Sequence, residues 1–131
     1  MRYTIGCSIE DKATKDRYEG FVGIDSLGLE YVLTEDVIKR DIESEDNKKE
    51  LTIFVYDNLE LAEKAISSHV KSYRRDDVWL SPWKKSKKIR KFYLIKIDSS
   101  NFNYEIEENK NFKKKKDYKL CKIVNIKNKE G

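Results

Sequence analysis

Apolar residues are scarce in this chain and come in short bursts, and that pattern decides what it can fold into. Of 131 residues, 38% are hydrophobic and 40% are charged, so a core forms only if each element gathers its apolar side chains on one side. Tyr3, Ile5, Cys7 and Ile9 alternate with Arg2, Thr4, Gly6 and Ser8, the period of two by which a strand buries one face. Phe21 to Asp25 and Leu29 to Leu33 are two further short runs. Between them lies Ser26-Leu27-Gly28, where glycine can take the positive φ of a hairpin turn. Leu51 to Tyr56 and Phe92 to Ile97 are continuous runs rich in β-branched and aromatic residues, as central strands require. Phe102, Tyr104 and Ile106 alternate within 101–107. Tyr118 to Ile126 is the last run, with Leu120, Val124 and Ile126 on one face and Cys121 and Ile123 on the other.

Two stretches have helical spacing instead. Thr34 is placed to cap a short helix over 35–42, with Glu35 and Asp36 in its first turn and Val37, Ile38 and Ile42 on one side. Asp57, with Glu60 three residues on, is placed to cap a longer helix over 58–73. Its stripe is Leu59, Ala62, Ile66, Val70 and Tyr73, and its acidic start and basic end suit the helix dipole. Residues 43–50 are almost wholly charged or polar and read as a solvated loop. The expected fold is α+β, a single domain over residues 1–131. Five to seven mostly antiparallel strands pack against one main helix (58–73), with a second short helix (35–42).

The length suits one core and is too short for two. Cys7 and Cys121 stand near opposite ends without a CxxC pair, no secretory signal precedes them, and no apolar run reaches the ~18 residues of a membrane span. The expectation is a soluble protein in a reducing bacterial cytoplasm, with no membrane partner; a Cys7–Cys121 bridge between terminal strands is the alternative. Lysine, isoleucine and asparagine are abundant, and their A/T-rich codons account for part of the lysine excess.

Charge is split along the chain. Through Val70 there are 9 basic and 16 acidic residues, and from Lys71 onward 19 basic and 8 acidic. Such a protein offers one end to a polyanion and repels it with the other. The positive end has two clusters, Arg74 to Lys91 and Lys113 to Lys116. In the first, Arg74, Arg75, Lys84, Lys85, Lys87, Lys88, Arg90 and Lys91 are interleaved with Trp79, Trp83, Phe92 and Tyr93. Basic side chains neutralise phosphates and release counterions while exposed aromatics stack on bases, which is what nucleic-acid binding needs. The competing reading buries Trp79, Phe92 and Tyr93 in the core and leaves the lysines solvated. Trp83, between Pro82 and Lys84, is the aromatic expected at the surface. The negative end is an acidic surface of Glu35, Asp36, Asp41, Glu43, Glu45 and Asp46, six carboxylates in twelve positions.

Catalytic patterns are sparse. His69 is the one histidine, and Ala65 and Tyr73 at i−4 and i+4 give it no acid on a helix. The cysteines, His69 and the carboxylates have no metal-motif spacing, so neither metal nor cofactor is expected. Asp98, at the end of an apolar run, followed by Glu108-Asn109-Lys110, is similar to the acid and E-x-K motif of restriction-type nucleases. That resemblance implies a metal-dependent phosphodiesterase site of Asp98, Glu108 and Lys110. Glu10-Asp11-Lys12 has the same form by chance.

In size, lysine and isoleucine content and charge, the chain resembles small phage-encoded anti-defence proteins such as anti-CRISPRs. The resemblance implies a phage inhibitor without an active site that occupies a host protein, a nucleoprotein complex or its nucleic acid. The expected function is therefore non-enzymatic binding through the basic, aromatic-rich surface, with a small nuclease, an RNA-binding protein or an assembly protein as alternatives.

Overall fold

The computed structural model describes residues 1–11, 14–44, 51–68, 88–98 and 100–127. Its strands are β1 (Arg2–Asp11), β2 (Arg17–Ile24), β3 (Glu30–Thr34), β4 (Thr52–Val55), β5 (Lys88–Ile97), β6 (Tyr104–Glu108) and β7 (Lys119–Ile126). Helix α1 is Glu35–Ser44, and α2 is helical over residues 59–68. The strands form one antiparallel sheet in the order β5-β1-β2-β4-β7-β6, with β3 on β2. The α+β expectation holds.

The sheet is forked at β2. Gly20 and Phe21 pair with β1 on one side and β3 on the other, whereas Gly23 and Ile24 pair with β3 and β4. β4 therefore takes over the side that β1 leaves. The first residues of β1 instead meet the end of β4: Tyr3 and Tyr56 exchange two backbone hydrogen bonds of 2.8 Å. The Thr4 hydroxyl donates to the Phe54 carbonyl at 2.6 Å, which satisfies a fully buried side chain.

The sheet also curls. β2 and β6 are three spacings apart, about 14 Å on a flat sheet, yet the Phe21 and Tyr104 ring centroids are 5.4 Å apart, with Phe102 at 5.7 Å from each. These rings sit on the concave side with Leu33, Ile53, Val55, Cys121 and Ile123, and Ile38 of α1 joins that cluster. Ile5, Cys7, Ile9, Val22, Phe54, Tyr56 and Leu120 form a second cluster on the convex side, under Ala62 of α2. The two helices thus pack on opposite faces. Among the described residues, no helix is long and apolar enough to cross a membrane.

Several local expectations change. Alternation in β1 predicted one solvated face, but every residue from Thr4 to Ile9 is buried. The small residues face the concave side, where the Tyr93 ring lies over Gly6 so closely that a Cβ there would sit 2.4 Å from the ring. Gly28 takes φ +82° in the β2–β3 hairpin turn, as the sequence suggested. Asn58, not Asp57, caps α2, its Oδ1 accepting from Glu60 N at 2.8 Å and Leu61 N at 3.4 Å. Starting at 59, the helix buries Ala62 and partly buries Leu61, Ala65 and Ile66, while Leu59 is exposed; residues 69–73 lie outside the described residues.

In β7, Ile106 pairs with Ile123 and Glu105 with Asn125, so Val124 is an inserted residue. Such a bulge moves later side chains to the other face. Ile126, expected beside Leu120, packs instead with the Cys121 and Ile123 cluster.

Candidate functional site

The nuclease motif does not assemble. Asp98 sits in the turn between β5 and β6, where its Oδ1 accepts from Ser100 N and Ser100 Oγ, both at 2.9 Å. These two bonds, helped by Lys96 and Lys127, hold its carboxyl below the ordinary carboxylate range. Asp98 lines a cavity with Tyr104, at the start of β6. Glu108 lies four residues further along that strand, about 13 Å at strand rise. Between Glu108 and Lys110, Asn109 is buried. Its Nδ2 donates to Thr52 Oγ1 at 2.8 Å, its Oδ1 accepts from Asn111 N at 3.1 Å, and its backbone N–H reaches Leu120 O at 2.8 Å. Glu108-Asn109-Lys110 is a turn built on its middle residue, with both charged side chains in solvent. Among the described residues, no three His, Cys, Asp or Glu side chains gather as a metal site.

Nor do the thiols meet. Cys7 is in the convex cluster and Cys121 in the concave one, and both are free and buried. Burial pushes the Cys7 thiol up to about 11 and raises that of Cys121 as well, which suppresses the reactive thiolate. His69 lies outside the described residues.

Most of the basic, aromatic-rich segment also lies outside them: Arg74, Arg75, Trp79, Trp83, Lys84, Lys85 and Lys87. Its last residues are described. Lys88 opens β5 opposite Asp11, and the ten-residue ladder with β1 continues through Arg90 and Lys91. Arg90 is half-buried. Phe92 packs into the convex cluster, and Tyr93, on the other face, lies over Gly6. Phe92 thus serves the core, as the competing reading had it, whereas Tyr93 is 36% exposed.

The acidic set divides similarly. Glu35, Asp36 and Glu43 are exposed on α1, with Glu35 paired to Lys39 at 3.1 Å. Asp41 is not surface: it is 8% exposed, because its position falls on the inward stripe of α1 beside Ile38 and Ile42, and its Oδ1 accepts from Arg40 Nε at 3.1 Å. Glu45 and Asp46 lie outside the described residues. The charge split of the sequence does not map onto two halves of the molecule, because β5 flanks the first-half strands at β1 and β7 flanks them at β4.

A different grouping emerges on the convex side. A cavity of about 250 Å³ lies between α2 and the sheet, walled by Phe54, Tyr56 and Tyr118 with Leu61 and Ala65, and rimmed by Glu30, Lys64, Ser68 and Asp117. The Tyr118 ring centroid is 5.3 Å from that of Phe54 and 5.6 Å from that of Tyr56. Burial, then the neighbouring Tyr118 phenol and the carboxylates of Glu30 and Asp117, raises the Tyr56 hydroxyl well above its ordinary value. Lys113 to Lys116, all exposed, immediately precede the rim residue Asp117. One basic cluster, Lys113 to Lys116, thus adjoins this aromatic-walled cavity. Sequence reading missed it. The signal present was Tyr118, an aromatic two residues beyond four consecutive lysines.

Comparison of the chain with protein-family models, with curated proteins and with solved structures gave no match.

Proposed function

We propose that this protein acts by binding, without chemistry of its own, and that its partner is a nucleic acid held at the convex side. The phosphates meet Lys113 to Lys116 and the Arg74 to Arg90 segment, and a base rests at the Tyr118 wall of the cavity. The observation that carries this reading is the exposed run Lys113 to Lys116 beside one aromatic-walled cavity. Lysines supply non-specific attraction through counterion release, and ring stacking adds about 1–3 kcal/mol per base. Glu30 and Asp117 on the rim keep phosphate outside the cavity, so the backbone runs over the lysines rather than into the pocket. Acting this way on a host nucleoprotein complex, the protein is an inhibitor that occupies its nucleic acid.

Labelled single-stranded RNA and DNA, incubated with the protein at low salt with and without Mg²⁺ and followed for both mobility and length, test the reading. Retardation without shortening, weakened by charge reversal at Lys113 to Lys116, is expected. Absence of retardation refutes nucleic-acid binding. Mg²⁺-dependent cutting abolished by Glu108→Ala refutes the binding-only account and restores the nuclease.

A further inference from the structure

Among the described residues the curled sheet does not close. β5 and β6 end the strand order, neither pairs with the other, and the concave side opens between them. One end of this opening is a cavity of about 400 Å³ and the other a hollow of about 160 Å³, with Tyr104 lining both. Ile95 and Ile97 wall the β5 side and Tyr104 and Ile106 the β6 side. On each strand these residues are two apart, so their side chains repeat every ~6.7 Å along the groove. Phe21 and Phe102 form its floor. All four wall residues are half-buried, apolar surface that the concave cluster only partly covers.

We infer that this groove binds one extended polypeptide segment of a partner protein, which adds as a strand between β5 and β6 and sets alternate apolar side chains on the Phe21 and Phe102 floor. Two facing strand edges recognise a peptide backbone, which a nucleic acid cannot imitate. The walls repeat with the period of an extended chain. Charge points the same way: four carboxylates line the groove, Glu19, Glu35, Asp98 and Glu105, against two cations, Arg2 and Lys127. Glu19 and Glu35 already hold Arg17 and Lys39 in exposed pairs, which a cationic residue of the partner can exchange for its own. The fitting segment has apolar residues at alternate positions flanked by lysine or arginine. A polyanion is disfavoured here, so this site is separate from the convex surface and stands or falls independently of it.

The test uses the full chain and a blocked synthetic peptide, Lys-Val-Ser-Val-Ser-Val-Lys, followed by amide hydrogen exchange. Without peptide, the amides of Tyr93 to Ile97 and Tyr104 to Ile106 that face the gap exchange readily. With saturating peptide they slow by about tenfold or more, while the same peptide with proline at its central valine has no effect. Ile97→Lys abolishes the slowing and leaves the near-UV circular dichroism unchanged; should that variant not fold, the proline peptide on the native chain makes the same comparison. Two results overturn the inference. One is gap-facing amides already protected in the free protein, which means the chain itself fills the groove. The other is exchange unchanged by the peptide.

Discussion

Thr4→Val separates a buried hydroxyl from a solvated one. Thr4 is fully buried, and its hydroxyl donates to the Phe54 carbonyl at 2.6 Å, tying β1 to β4 where the sheet forks. Valine keeps the shape and the β-branch, so no cavity forms and strand propensity is unchanged. What is lost is one buried, short hydrogen bond, with the Phe54 carbonyl losing a donor it has in the native protein. The cost is about 1–2 kcal/mol, which for a domain of this size lowers Tm by about 3–8 °C. Thr4→Ser keeps the bond and removes one methyl group, at about 0.5–1.5 kcal/mol. Urea denaturation followed by near-UV circular dichroism measures both; the midpoint should fall without a change in slope if the native and unfolded states keep their compactness. The alternating pattern of β1, taken alone, puts Thr4 in solvent, where the change lies within about 0.5 kcal/mol of zero. A Thr4→Val protein as stable as the native one, or more so, refutes the buried, forked arrangement.

Other expectations are as direct. Asn58→Ala removes the acceptor for the first amides of α2 and costs about 0.5–2 kcal/mol, whereas Asp57→Ala, at an exposed residue 4.0 Å from Lys119, changes denaturation by less than about 0.5 kcal/mol. The Asp98 carboxyl is held below its ordinary 3.8. A depressed folded value contributes stability above the unfolded pKa and loses it as pH falls through the folded one. The Tm deficit of Asp98→Ala is therefore present at neutral pH and shrinks as pH drops below about 4, and a deficit constant from neutral to acid pH contradicts the role of the Ser100 bonds.

The elements follow from the sequence because each is a local pattern. The β2–β3 hairpin, α1 with its Thr34 cap and the runs at 51–56 and 118–126 are all set by residues within a few positions of one another. What surrounds an element is not local. Nothing in Thr4, Gly6 and Ser8 says that their face meets Tyr93 and Phe21 across a curled sheet, and nothing in Val124 announces the bulge that turns Ile126 over. The order β5-β1-β2-β4-β7-β6 sets strands of the basic half on both sides of those of the acidic half, so a charge split along the chain is not a split into two halves in space. The candidate site was half legible. The basic clusters stand out in the sequence, but the cavity beside Lys113 to Lys116 is made by Phe54, Tyr56 and Tyr118, which meet because β4 pairs with β7. Asp98, Glu108 and Lys110 show the converse, a motif in sequence that the sheet separates.

The central claim is that the convex basic surface holds nucleic acid, and the salt dependence of binding measures it most directly. Fluorescence anisotropy of a labelled single strand, titrated across salt concentrations, gives the slope of log K against log salt, about −0.7 per phosphate contacted. Native protein is expected to show a steep negative slope. Lys113 to Lys116 changed together to glutamate should reduce its magnitude by up to about 3, the share of four phosphates, while thermal denaturation stays the same. A slope near zero, or one that the four substitutions leave unaltered, contradicts the account.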